Sequence, residues 1–298
     1  MDTKYGQAVN ILPAGLKAVA LSLPEEKQIR VEELRLRMGQ PMAAVLDGEE
    51  VRFPGAAVTR TDLEQLLELS CRGSLHTVLD QLRQGYIALP GGHRLGLCGR
   101  AVLREGEIIN LRPLSSAGLR IAREVRGAAL PVLSQVCEGG RLQSTLILAP
   151  PGLGKTTLLR DLIRMVSDGE NCQPHRVGLA DERGEVAALW EGVPQLDVGS
   201  RTDILEGCPK AQALMLLLRA MSPQVLAVDE ITAKGDLEAL TAAVGCGVTL
   251  LATAHGTDRA DLERRPLYRP LLEQKIFRRL VQIQRTEGGR RYSVEDLS

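Results

Sequence analysis

Aromatic residues are scarce in this 298-residue chain: one Trp, four Tyr and two Phe, 2% in all. A surface that stacks successive bases of a single strand needs several exposed rings, so that class of binder is disfavoured. Net charge is missing too, with 37 Lys and Arg against 37 Asp and Glu. The balance holds on both sides of Gly140, at 17 basic to 16 acidic before it and 20 to 21 after it. Neither half is a basic module whose affinity would come from phosphate-backbone contacts. No apolar run reaches the roughly 18 to 20 residues of a membrane helix. The nearest, Ala239 to Ala254, is broken by Thr and Gly and reads as a helix end followed by a buried strand. The first residues, with Asp2 and Pro13 and no cleavage site, do not read as a signal peptide. The six cysteines, Cys71, Cys98, Cys137, Cys172, Cys208 and Cys246, stand 27 to 39 residues apart, with no C-x-x-C pair and no histidine at ligand spacing. Reduced thiols of a cytosolic protein are the expectation, with disulfides or a zinc site as the alternative.

What is present is an ordinary globular composition, 44% hydrophobic and 25% charged, in a chain long enough for about two domains. The first part reads as a helix over about Gln7 to Leu21, then a strand in which Val31, Leu34, Leu36 and Met38 share a face opposite Arg35 and Arg37. Asp47-Gly48 marks a hairpin turn between Met42–Leu46 and Glu49–Phe53. Thr61-Asp-Leu-Glu64 is a capping box opening a helix, and a second helix is expected over Ser74 to Gln84. Two more hairpins follow, around Pro90-Gly-Gly92 and Glu105-Gly106. This is an α+β domain, and Gly139-Gly140 is the expected boundary, giving domains 1–140 and 141–298. Beyond it, apolar strands alternate with helices: Ser144–Ala149, Arg176–Ala180, Gln224–Val228 and Val248–Ala254, with helices from Lys155, Lys210 and Lys234. That alternation implies a mostly parallel α/β sheet.

The chemistry concentrates at the ends of these strands. Leu146-Ile-Leu-Ala149 runs into Pro150, Pro151, Gly152, Leu153 and Gly154, and Lys155, Thr156 and Thr157 open a helix. Loop amides and a helix N-terminus aimed at one point suit a polyphosphate. Lys155 would reach the β and γ phosphates of ATP, and the Thr156 hydroxyl would ligate Mg²⁺. The pattern G-x-x-x-x-G-K-[ST] is met except at its first position, where Ala149 ends a strand and needs no glycine. Val225-Leu-Ala-Val-Asp229-Glu230 is the second part, a buried strand ending in two acids. Asp229 would hold the Mg²⁺ shell through water, and Glu230 would polarise the attacking water. Asp181-Glu182-Arg183 ends another strand, and Thr253 and His255, at the end of a fourth, are suited to sense a γ phosphate. Arg183, Arg201 and Arg219 are candidates for a phosphate or a neighbouring subunit, though taken singly each reads first as a surface or structural arginine.

The order phosphate loop, Asp181-Glu182-Arg183, Asp229-Glu230 and Thr253-Ala-His255-Gly256 resembles that of the type II and type IV secretion ATPases, including pilus motors, and the His255 segment is similar to their histidine box. Glu33-Leu-Arg-Leu-Arg-Met-Gly-Gln-Pro-Met42, followed by Leu46-Asp-Gly48, is similar to their N-terminal sensor-like domain. Arg83 to Gly99, Asp181-Glu-Arg-Gly-Glu185 and Gly199 to Lys210 resemble a branch of these ATPases from stage III of endospore formation. The resemblance implies a RecA-like P-loop (AAA-type) ATPase domain preceded by a smaller PAS-like α+β domain. It implies ATP and Mg²⁺ as cofactors, with Glu230, Lys155, His255 and Glu182 as catalytic residues and an arginine, Arg219 among the candidates, acting across a subunit boundary. It further implies a homohexamer in the mother-cell cytoplasm that stays out of the membrane, binds membrane proteins of the forespore channel and needs no nucleic acid. Two positions depart from the pattern: Ala149, which would slow nucleotide exchange, and Thr232, where glycine is expected after Asp-Glu-Ile. A nucleic-acid-dependent RecA-like ATPase and an ATP-gated assembly scaffold are the rival readings.

Overall fold

A computed structural model describes residues 3–71, 86–286 and 289–297. The helix expected over Ser74 to Gln84 lies outside them. The chain divides into two units: Met1–Arg123 with Trp190–Gln195, and Glu124–Leu189 with Leu196–Ser298.

In the first unit, β1 (Val31–Arg37), β2 (Pro41–Leu46), β3 (Glu49–Ala57), β4 (Tyr86–Ala88), β5 (Arg94–Arg104) and β6 (Glu107–Arg120) form an antiparallel sheet in the order β3-β2-β1-β6-β5-β4. Leu34, Leu36, Leu95, Leu97 and Leu119 point into a core closed by the helices Lys4–Val9, Ala14–Leu21 and Arg60–Ser70. Val31 and Leu34 are both buried although three residues apart, because a bulge between Val31 and Glu33 resets the alternation. Met38 leaves the expected stripe: it lies just past the strand and is exposed. The single helix expected over Gln7 to Leu21 is two, because Pro13 has no N–H to continue the first and instead precedes the second. The capping box lies two residues earlier than expected. Thr59 accepts from the Asp62 amide at 3.2 Å, and Asp62 accepts from the Thr59 amide at 2.8 Å.

His93 is 2% exposed; its Nδ1 accepts from the Ala122 amide at 3.0 Å, while Nε2 has no partner among the described residues. Burial, aided by the charge of Lys4, pushes its pKa down to about 4 from 6.5. A histidine depressed in this way costs nothing above pH 6.5, and stability falls as pH drops from there towards 4, because the unfolded chain takes the proton first. Chemical denaturation at pH 5 is expected to give a stability about 2 kcal/mol below that at pH 7.5 from this residue. His93→Gln is expected to flatten that part of the profile; an unchanged profile would mean that His93 binds its proton equally well in the folded and unfolded chain.

The later strands are β7 (Cys137–Glu138), β8 (Arg141–Leu142), β9 (Thr145–Ala149), β10 (Val177–Asp181), β11 (Leu189–Trp190) and β12 (Val193–Pro194). They continue with β13 (Thr202–Glu206), β14 (Val225–Val228), β15 (Thr249–His255), β16 (Arg279–Thr286) and β17 (Gly289–Asp296). Gly139-Gly140 is the turn between β7 and β8 rather than a domain join. The helix Leu130–Val136, before that turn, already buries Val132, Leu133 and Val136 in the core of the second unit. The main sheet of this unit runs β13-β10-β14-β15-β9-β16-β17, parallel throughout except for β17 at the edge. Both faces are apolar. Ile147, Val225, Ala227 and Leu251 pack under the helix Lys155–Asp168, while Leu146, Leu148, Leu226 and Leu250 pack under the helices Lys210–Ala220 and Lys234–Gly245. Leu158, Leu159, Leu162, Ile163 and Val166 fasten the first of these helices to the sheet, each side chain contributing roughly 1.5–3 kcal/mol. The sheet therefore holds the C-terminal ends of β9, β10, β14 and β15 side by side, where open α/β sheets place their ligands.

Candidate nucleotide-binding site

The turn from β9 into the helix Lys155–Asp168 is shaped by Gly152 and Gly154, at φ +77° and +91°, a region that side chains disfavour. Ala149 is the last residue of β9, opposite His255 of β15, and its strand conformation makes no such demand. Lys155 is 8% exposed. Its Nζ donates to the carbonyls of Ala149 at 2.8 Å and Pro150 at 3.2 Å, and lies 2.9 Å from His255 Nδ1. An ammonium has only donors, so Nδ1 accepts and the imidazole proton sits on Nε2, which faces Glu230 Oε1 at 2.7 Å. Lys155, His255 and Glu230 thus form one directed chain of hydrogen bonds. Burial pushes the Lys155 ammonium down, against the pull of Glu230 and Asp229.

The second constellation centres on Asp229. Thr156 Oγ1 donates to one of its oxygens at 2.7 Å and Thr253 Oγ1 to the other at 2.6 Å. Thr253 Oγ1 also accepts from the Glu230 amide at 2.8 Å. That amide bond helps hold Glu230 at φ +58°, a left-handed conformation that costs a non-glycine residue of order 1–3 kcal/mol and is common at functional sites. The buried Tyr268 hydroxyl donates to the Ile231 carbonyl at 2.9 Å and braces the same turn. A hydroxyl and a carboxylate already in contact fit Mg²⁺, which takes few protein ligands and fills its sphere with phosphates and water.

A small pocket beside Asp229 and Glu230 is lined by Asp181, Glu182, Arg183 and Lys210. Asp181 is 1% exposed and accepts the amides of Glu185, Val186 and Ala187 at 2.8–3.0 Å, which ties down the loop after β10. Burial pushes its carboxyl up while those amides pull it down. Glu182 is ion-paired with the buried Lys210 at 2.8 Å, and Lys210 also donates to Thr232 Oγ1 at 3.1 Å. Arg183 Nη1 lies 3.9 Å from Glu230 Oε2.

The family described as sporulation stage III, protein AA, matches residues 2–294 of the chain. The chain belongs to that family. Stage III sporulation protein AA of Bacillus subtilis (strain 168) is 38% identical over 283 residues, 95% of this chain and 92% of that one. Among solved structures, the ATPase DotB of Legionella pneumophila superposes with a TM-score of 0.60 at 16% identity, covering 90% of this chain and 76% of that one. The pilus retraction motor PilT, solved with bound ADP, gives 0.57 at 15% identity, covering 91% of this chain and 80% of that one. The fold of this family member is therefore that of the RecA-like secretion ATPases.

The structure brings Lys155, Thr156, Asp229, Glu230, His255, Glu182 and Arg183 together at these strand ends. Thr253 is fully buried, and its hydroxyl donates to Asp229 and accepts from the Glu230 amide, so it braces the two acids. Arg219 is exposed in the last turn of the helix Lys210–Ala220, about 14 Å along the axis from Lys210, and takes no part in its own chain's site. Arg201 donates to the Ser167 carbonyl at 3.0 Å and ties a loop to the end of the helix Lys155–Asp168. Sequence reasoning missed Lys210, because a lysine opening a helix carries no mark of burial or of an acidic partner. Thr232, noted only as a departure, is the hydroxyl that receives Lys210.

Proposed function

We propose that this family member is a Mg²⁺-dependent ATPase of the secretion-motor type. It works as a homohexamer in the mother-cell cytoplasm and drives assembly of, or transport through, the mother cell–forespore channel by acting on membrane proteins. The observation that carries the reading is the meeting, at adjacent strand ends, of a phosphate-loop lysine, a Thr156–Asp229 pair and a Glu230–His255 pair. Lys155 and the loop amides bind the polyphosphate, and Thr156 and Asp229 would hold Mg²⁺, whose chemistry is to neutralise phosphate charge. Glu230 accepts a proton from the attacking water, and the His255 Nε2–H keeps its carboxylate aimed. The balanced charge and sparse aromatics favour protein partners over a polyanion. No helix among the described residues is long and apolar enough to cross a membrane.

The test is phosphate release by the purified chain over a range of chain concentrations. The expected result is a rate per chain that rises with concentration as subunits assemble, and that single-stranded DNA leaves unchanged. A rate per chain that stays flat through dilution would sink the intersubunit engine, and strong stimulation by DNA would favour a nucleic-acid motor.

A further inference from the structure

We propose that Arg290, carried by the C-terminal hairpin, is a phosphate-binding residue of the nucleotide site and acts within its own chain. The inference rests on the ATPase reading above and adds a residue that none of its motifs contains.

The register of the sheet places the residue. β16 runs parallel to β9, with Leu280 beside Leu146 and Gln282 beside Leu148. β9 stops at Ala149, but β16 continues to Thr286, so its last residues pass alongside the phosphate loop at roughly 3.3 Å per residue. β17 returns antiparallel, with Arg290 opposite Arg285. The consequence is visible at Gly154. A Cβ on that residue would lie 3.0 Å from both Cζ and Nη1 of Arg290 and 3.3 Å from Nη2. The guanidinium plane therefore stands directly over the glycine that opens the helix Lys155–Asp168. Gly154 answers two demands at once, a φ of +91° and room for this side chain.

The surrounding charge points to an anion. Arg290 is exposed and makes no ion pair among the described residues. Its cross-strand neighbour is a second arginine, and Arg291 follows it. Like charges set directly across a ladder destabilise a hairpin. A polyphosphate in the adjoining loop would relieve that repulsion, and the planar fork of a guanidinium suits two phosphate oxygens at once. The trans-acting arginine expected from the sequence is thus joined by one supplied in cis.

The test uses the full chain and equilibrium binding of a fluorescent ATP analogue, with ADP and inorganic tripolyphosphate as competitors. Arg290→Ala is expected to weaken the ATP analogue and tripolyphosphate alike, each by about tenfold, as for a charge-assisted contact at a partly open site. Arg290→Lys is expected to recover only part of this, since a point charge replaces a fork. Thermal melting without nucleotide should not fall, since Arg290→Ala removes a like-charge neighbour of Arg285, and it shows that the variants are folded. Unchanged ATP affinity in Arg290→Ala overturns the assignment. Weakened ATP with unchanged tripolyphosphate overturns it as well, because the contact would then be to the base. If the unaltered chain binds neither probe, the ATPase reading falls and takes Arg290's role with it; if it binds and Arg290→Ala binds equally, the role of Arg290 alone falls.

Discussion

Glu230→Gln is expected to bind ATP within about twofold of the unaltered chain and to turn it over 10²- to 10⁴-fold more slowly, the usual worth of a positioned general base. The substitution is close to isosteric, so most of the surrounding geometry persists. The amide oxygen of Gln can still accept from His255 Nε2, which stands 2.7 Å from Glu230 Oε1. The Glu230 amide is held by Thr253 whichever side chain follows it, at 2.8 Å. What disappears is a carboxylate able to take a proton, together with its charge facing Arg183 at 3.9 Å. Fluorescent-nucleotide binding and phosphate release measured on one preparation separate the two effects. Normal turnover in the variant would remove Glu230 from its assigned role.

The parts of the site legible in the sequence are those in which a residue type and its position on an element together dictate a task. Lys155 and Thr156 follow a glycine turn at a helix start, and Asp229 and Glu230 end an apolar strand; each pairing is fixed by local chain geometry. The sheet was legible for the same reason, because Val225–Val228 and Thr145–Ala149 are apolar on both faces and bounded by loops. What escaped depends on neighbours distant in sequence. Lys210 meets Glu182 and Thr232 only when β10 and β14 lie side by side, a pairing no local pattern announces. β16 mixes glutamines and arginines among its apolar residues, and β17 is charged towards both ends, so neither reads as part of a buried sheet. Arg290 was invisible for that reason: its approach to Gly154 follows from β16 overrunning β9. The domain join was misplaced because Gly139-Gly140 looks like a linker, yet it is the turn of a two-residue hairpin whose flanking helix belongs to the second core.

Lys155→Ala is expected to lower turnover by 10²- to 10³-fold, the usual loss on removing one preorganised donor from developing negative charge, and to weaken ATP binding as well. The argument starts from a saturated ammonium. Lys155 has three N–H donors, and the Ala149 carbonyl, the Pro150 carbonyl and His255 Nδ1 are three acceptors within 3.2 Å. For Nζ to meet a phosphate oxygen, at least one of these bonds must be given up. Releasing the His255 bond would also free the imidazole that aims Glu230, so arrival of the nucleotide and alignment of the base draw on the same side chain. Removing the ammonium breaks that link at its source. Its three partners lose a donor each, but no buried charge is left facing empty space, because His255 still bonds Glu230. The fold is therefore expected to survive, and a melting curve without nucleotide checks it. Lys155→Arg should not restore turnover: a planar guanidinium is too wide for a nest built from two carbonyls and an imidazole around a compact ammonium. Full activity in Lys155→Arg would show that charge alone suffices here, and wild-type turnover in Lys155→Ala would show that the loop's nucleotide is held without its lysine.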